Sequence, residues 1–247
     1  MSTNVISRRA AVIGLSAVLL GGAGLGGATA AAMPIATAPI AAVSAASSLQ
    51  TGSRGPQVLA AQKRLNQLGY SLGAPNGTYG PRTRQAVLAL QKVAGLPRTG
   101  VLDARTAKAL STGVRPRART TRGHVIEVDK ARQVLLVVDN GQVSKIFNVS
   151  TGTGKPFVEH GRRGVAVTPS GTFRFWTQYR GGAGWQHGTL GDMYRPMYFN
   201  KGIAVHGSRF DVGARPSSHG CVRIHNGNMD ELRATGAIHL RGQVTVY

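Results

Sequence analysis

The sequence predicts a multidomain chain: a small all-α bundle of three short helices, then a mainly-β domain of sandwich or barrel type with one short helix. Three observations predict it. Between residues 55 and 112 apolar residues recur at three and four positions, the period of amphipathic helices. After Gly123 the period falls to two, in many short runs separated by turn residues, the pattern of packed strands. Residues 113–122 lie between the two and carry Arg115, Pro116, Arg117, Arg119 and Arg122 with no apolar period, so they read as a basic linker, a solvated tether.

In the first helix Val58, Ala61, Leu65 and Leu68 form one stripe. Pro56 suits its opening turn, and Gly69 suits the left-handed residue past its end. The second stripe is Ala86, Val87, Leu90 and Val93, bounded by Pro81 and Gly95. Asp103 is a good N-cap for a third, short helix carrying Ala107 and Leu110. A turn-rich loop, Ala74 to Gly80, joins the first two helices, and residues 46–54 form a small polar linker ahead of them.

The strands follow in order. Val125–Val128 is one, and Gln133–Val138 is a second whose unbroken run Leu135-Leu136-Val137-Val138 implies burial on both faces. Asp139-Asn140-Gly141 is a hairpin turn, because Asn-Gly accepts positive φ at low cost. Val143–Val149 is the third strand and ends at Ser150-Thr151-Gly152. Thr172–Trp176, Met197–Phe199, Ile203–Val205 and Val244–Val246 read as further strands, with a helix near Asn228–Ala234.

Basic residues exceed acidic ones by 30 to 9 in 247 residues, which speaks of anionic partners. Nucleic acid and an anionic envelope both fit that balance, and the N-terminus separates them. Residues 1–45 read as an export signal: Arg8 and Arg9, an apolar run from Ala10 to Gly27, then small residues. Cleavage after Ala32 and cleavage near Ala45 fit equally well. Ser7-Arg8-Arg9 also fits a twin-arginine signal. The run is short and glycine-rich for a span of roughly 20 apolar residues, so removal is expected over a retained anchor. The expectation is a secreted, cell-wall protein with no stable membrane span after signal removal and no nucleic-acid partner.

One cysteine, Cys221, stands in the whole chain, within Ser218-His219-Gly220-Cys221-Val222-Arg223. It can form no internal disulfide. A thiol becomes a good nucleophile when a base removes its proton, and His206-Gly207 and His219 are the candidate bases. Small neighbours let substrate and backbone N–H groups approach the sulfur. Zinc held by His187, His206, His219, His225 and Cys221 is a rival, but no HxxxH or paired-cysteine spacing supports it, so no metal or cofactor is expected.

Two resemblances join these readings. Gly55-Pro56-x-Val58, Leu65-x-x-Leu68-Gly69-Tyr70, Asn76-Gly77-x-Tyr79-Gly80, Thr83-x-x-Ala86-Val87-x-x-Leu90-Gln91 and Gly95-Leu96-x-x-x-Gly100-x-Leu102-Asp103-x-x-Thr106 together resemble the three-helix peptidoglycan-binding domain. Asn76 stands where that family usually has Asp, and Leu90 where it often has Phe. A helical spacer that binds nothing is the plainer reading of residues 55–112. Residues 124–247 resemble the L,D-transpeptidase catalytic domain through His206, Ser218-His219-Gly220-Cys221, Ser150-Thr151-Gly152 and Thr168-Pro169-Ser170-Gly171-Thr172-Phe173. Arg223 stands where some members carry Asn, and the interval after His206 is at the short end. Boundaries follow at 46–54, 55–112, 113–122 and 123–247.

The second resemblance implies a cysteine enzyme that takes D-alanine from a tetrapeptide stem and joins the acyl group to a neighbouring stem's amine. Cys221 is then the nucleophile and His206 the base, oriented by a backbone carbonyl because Gly207 offers no side chain. His219 is the alternative base or a pocket residue. Gly220 and Cys221 N–H groups are expected to hold the oxyanion and Ser218 to support the loop. Arg223 is a candidate carboxylate ligand, with a plain surface or strand-pairing role equally open. Trp185, Tyr194 and Tyr198 are candidates for a lid and substrate contacts, or equally for core. Peptidoglycan is the expected partner, with anionic wall polymers such as teichoic acids a second. An L,D-carboxypeptidase hydrolysing the same acyl-enzyme and a non-catalytic wall-binding protein remain open; the second leaves the His and Cys motif without a use.

Overall fold

The computed structural model describes residues 48–247; the expected export signal at 1–45 lies outside them. Helices α1 (Pro56–Gln67), α2 (Pro81–Ala94) and α3 (Ala104–Ser111) come first. Proline opens α1 and α2, and the Asp103 carboxylate caps α3 by accepting the Thr106 N–H at 2.8 Å. Two buried glutamines replace apolar packing at the turns. Gln62 accepts from the Asn76 and Gly77 N–H groups and donates to Thr78 O and Thr83 Oγ1, fixing the 74–80 loop. Gln91 does the same for residues 99–106.

The second half is one ten-stranded curled sheet and a detached hairpin. The strands are β1 (His124–Asp129), β2 (Val134–Asp139), β3 (Gln142–Ser150), β4 (Pro156–Glu159), β5 (Arg162–Val165), β6 (Gly171–Arg174) and β7 (Thr177–Gln178). They continue with β8 (Trp185–Gln186), β9 (Met193–Asn200), β10 (Ile203–Ser208), β11 (Val222–His225) and β12 (Gln243–Val246), with helix α4 (Asn226–Ala234) between the last two. The order is β6-β12-β1-β2-β3-β11-β10-β9-β7, with β8 on β9 and β4–β5 apart. Positive φ at both Asn140 (48°) and Gly141 (83°) closes the β2–β3 hairpin as its sequence predicts.

Why β2 is apolar on both faces becomes clear in the packing. Leu135 and Val137 face one core with Phe147, Val149, Val205, Val222 and Leu232. Val134, Leu136 and Val138 face a second core with Val58, Leu65, Tyr70, Val87 and Leu90 of the helices. The core of the three-helix bundle is therefore shared with the sheet, whose Val134, Leu136, Val138, Val143 and Ile146 complete it. The apolar stripes of the helices close over the outer face of β2 and β3, so the sheet carries one core on each face. Backbone bonds reinforce the seam: Ile146 N–H donates to Gly69 O at 2.7 Å, and Ser71 N–H donates to Ile146 O at 3.2 Å. Glu231 of α4 accepts from Ser71, Arg82 and Lys145, each at 2.5 Å.

The tether expected at 113–122 is instead bound at several points between Val114 and Thr120. Val114 and Ala118 pack against the helical core, and Val114 O accepts the Tyr70 hydroxyl at 2.8 Å. The Arg115 side chain donates to Val143 O. Buried Glu127 accepts the Arg119 and Thr120 N–H groups, and the Arg119 guanidinium sits 3.6 Å above the Tyr247 ring. The contacts of Arg115 and Arg119 run to a backbone carbonyl, a buried carboxylate and a ring face, none of which leaves a trace in hydropathy.

Candidate active site

Strands β10 and β11 lie side by side and parallel, pairing Val205 with Val222 and His206 with Arg223. Val205 and Val222 are fully buried in the sheet core. Alternation along each strand then turns His206, Arg223 and Cys221, the residue before β11, to the opposite face. One strand spacing across and two residues along puts the His206 and Cys221 α-carbons on the order of 8 Å apart, close enough for their side chains to converge. Both line one cavity of about 370 Å³.

His206 is 3% exposed, and its Nδ1 lies 2.8 Å from Gly207 O. A carbonyl only accepts, so Nδ1 carries the proton and Nε2 keeps a free lone pair. This is the backbone-carbonyl orientation that a glycine at 207 suggests. Gly207 also leaves room: a β-carbon there would meet Asn226 Oδ1 at 2.5 Å and Tyr194 Cδ1 at 2.9 Å. Burial, against the Gly207 O hydrogen bond and with a smaller push from the Arg223 guanidinium, lowers the His206 pKa to about 4. Burial pushes the Cys221 thiol up, while the Ala204 N–H and Arg223 oppose that rise. The resting pair is thus a neutral imidazole and a thiol. The thiol lies 3.7 Å from Gly202 O, a weak acceptor for its proton.

The loop carrying the sulfur is held on several sides. Ser218 Oγ accepts the Gly220 N–H at 3.0 Å and donates to Cys221 O at 2.6 Å. Thr168 Oγ1 donates to Gly220 O and accepts the Gly152 N–H. Ser217 and Ser218 N–H groups donate to Thr151 O, and Arg223 Nη1 donates to Ser217 O at 3.0 Å. Gly220 sits at φ 144°, where a β-carbon would be 2.7 Å from Ile203 Cδ1 and 3.0 Å from Val167 O. Only glycine fits. Its N–H is committed to Ser218, so the expected use of that donor for an oxyanion does not match the resting geometry.

His219 lines the same cavity and meets the Phe157 ring edge-on at 5.1 Å. Trp185 and Tyr198, candidates from sequence for substrate contacts or equally for core, do not line this cavity. Trp185 packs on Tyr194 at 5.0 Å beneath the Arg209 guanidinium. The Tyr198 hydroxyl donates to Gln186 at 2.7 Å. Phe157 and Glu159 of the detached hairpin, with Leu190 and Met193, line the cavity instead. Residues 155–165 alternate weakly and carry Lys, Arg, His and Gly, so nothing in their hydropathy marks them. His187 pairs with Asp192, and His225 accepts the Gly227 N–H, so both are engaged elsewhere. Among the described residues no three His, Cys, Asp or Glu side chains converge on a metal position.

Comparison with known proteins places both halves. The family model described as a putative peptidoglycan binding domain matches residues 54–110. The model of the L,D-transpeptidase catalytic domain matches residues 123–237. A crystallised L,D-transpeptidase from Xylanimonas cellulosilytica is 44% identical, over 81% of this chain and 97% of that one, with a TM-score of 0.76. The N-acetylmuramoyl-L-alanine amidase CwlL of Bacillus licheniformis is 46% identical over 71 residues, 28% of this chain and 19% of the amidase. Localization factor PodJL of Caulobacter vibrioides is 46% identical over 55 residues, 22% of this chain and 6% of that protein. With a solved relative matched along nearly its whole length, this chain belongs to the L,D-transpeptidase family and joins that catalytic domain to a peptidoglycan-binding domain.

Proposed function

We propose that this chain is an exported cell-wall acyltransferase working through a Cys221 thioester. The observation that carries it is the placement of Cys221 and His206 on adjacent parallel strands, facing one cavity, with the imidazole tautomer set by Gly207 O. The sulfur attacks the carbonyl before the terminal D-alanine of a tetrapeptide stem as its proton passes to His206 Nε2. The same proton goes to the departing amine. Because both groups rest neutral, the thiolate forms with substrate in place and not as a standing ion pair. The Arg223 guanidinium favours the developing negative charge on sulfur. With the Gly220 N–H taken, the Cys221 N–H is the donor assigned to the oxyanion.

The thioester then meets the amine of a second stem. Phe157, Leu190, Met193 and Ile203 make much of the cavity apolar, which disfavours water and supports transfer over hydrolysis. The helical half retains peptidoglycan near the cavity, and the basic surface attracts anionic wall polymers. Incubating residues 48–247 with disaccharide tetrapeptides and analysing products by mass spectrometry tests the reading. Cross-linked dimers support transfer. Tripeptides alone make the chain a carboxypeptidase, and unaltered substrate rejects the enzyme.

A further inference from the structure

The segment that leads into the cysteine loop draws part of its order from outside the catalytic domain, beside the bonds that Asn148 and Ser150 of β3 make to Val212 O and Arg215 O. Three consecutive carbonyls accept hydrogen bonds from side chains of the helical half. Gln85 Nε2 donates to Val212 O at 3.0 Å, Lys92 Nζ to Gly213 O at 3.3 Å, and Arg98 Nη1 to Ala214 O at 3.0 Å. Lys92 does more than hold this segment. Its ammonium also donates to Gln133 O at 3.2 Å and Val149 O at 3.0 Å, just before β2 and near the end of β3. One buried cation, 2% exposed, thus fastens three stretches of backbone.

Those stretches lead directly to the sulfur. Val149 precedes Ser150 and Thr151. Gln133 accepts the Thr151 N–H with its side chain, and Thr151 O accepts the Ser217 and Ser218 N–H groups. Ser218 in turn holds Gly220 and Cys221. An ammonium buried this deeply is costly unless its protons are all used, and burial pulls its pKa down to about 7. A methionine would fill the same volume at less cost, so a cation here points to the carbonyls that it gathers.

We propose that Lys92 of α2 is a positioning residue for Cys221, and that the peptidoglycan-binding half completes the reactive loop as well as gripping the wall. As a statement about turnover this rests on the thioester reading above; as a statement about loop order it stands without it. Removing the helices is then expected to cost turnover on a soluble stem as well as wall binding.

The test is Lys92→Met in the chain from residue 48 to 247, measured in three ways. Amide hydrogen exchange is expected to rise at least tenfold in residues 211–221 and to stay unchanged in β1, β2 and β12. For D-alanine release from a soluble tetrapeptide, kcat is expected to fall at least tenfold with KM within about twofold. Sacculus binding is expected to be unchanged. Unchanged exchange at 211–221, or exchange raised evenly across the sheet, overturns the proposal, as does a loss confined to KM. Should Lys92→Met fail to fold, Arg98→Ala reports on the same segment, and unchanged exchange at 213–217 there overturns it. If the parent chain releases no D-alanine, the thioester reading fails while the exchange measurement still decides the positioning role.

Discussion

His206 Nδ1 is hydrogen-bonded to the carbonyl oxygen of the very next residue, Gly207, at 2.8 Å, so the strand that carries the imidazole also orients it. Among the described residues no carboxylate takes part. An orienting carbonyl fixes the tautomer without adding negative charge, which leaves burial free to hold the ring neutral. Replacing His206 by Ala is expected to slow acylation of Cys221 by roughly 10² to 10⁴. Intact-protein mass spectrometry against time measures it. An unchanged rate transfers the base role to His219, which lines the same cavity.

The pH dependence follows from the same burial. The base must be neutral to act, and its pKa is lowered to about 4, so the acid limb of kcat/KM is expected near pH 4 and not near the ordinary histidine value of about 6.5. The thiol is raised, so alkylation of Cys221 by iodoacetamide is expected to climb only in the alkaline range, with no plateau between pH 5 and 8. Stability shares this origin. Between about pH 4 and 6.5 the unfolded chain binds the proton that the folded His206 refuses, so stability falls as pH drops through that window. The full effect is on the order of 3 kcal/mol, read as the difference between the parent chain and His206→Gln in urea unfolding at pH 7 and pH 4.

Gly220 is held at φ 144° against Ile203 and Val167 O, so Gly220→Ala must move either the loop or the strand beneath it. The expected result is near-complete loss of acylation with a stability loss of only about 1–3 kcal/mol, measured by calorimetry alongside the acylation assay. Retained acylation would show that the loop relaxes without displacing the sulfur.

Leu136 is 1% exposed and belongs to the core that the helices share with the sheet. Residues 48–247 are therefore expected to melt in one calorimetric transition. Leu136→Ala is expected to lower it by about 2–5 kcal/mol without splitting it. Two transitions, or a loss confined to one, would mean that the halves fold separately.

Much of the architecture was legible because local signals carry it. Proline at the starts of α1 and α2, the Asp103 cap, the Asn140-Gly141 turn and the doubly apolar run of β2 each depend on residues close in sequence. The Ser218–Cys221 stretch was conspicuous for the same reason. Hidden from it were contacts between distant segments. Val134, Leu136 and Val138 announced a second buried face without naming the helices that cover it. Lys92 belongs to no apolar stripe, and its burial depends on carbonyls 41, 57 and 121 residues further along. The β4–β5 hairpin has too few apolar residues to register, yet it brings Phe157 to the cavity. Trp185 and Tyr198 drew attention by aromatic character alone, which does not distinguish a substrate contact from core packing.

The most direct measurement follows one sulfur. Incubate the chain with a tetrapeptide stem in the absence of an acceptor amine, quench in acid, and map the adduct by peptide mass spectrometry. The account predicts a tripeptidyl thioester on Cys221, one D-alanine released per adduct, and neither in Cys221→Ala. D-alanine release that persists in Cys221→Ala, or an acyl group mapped to any other residue, would contradict it.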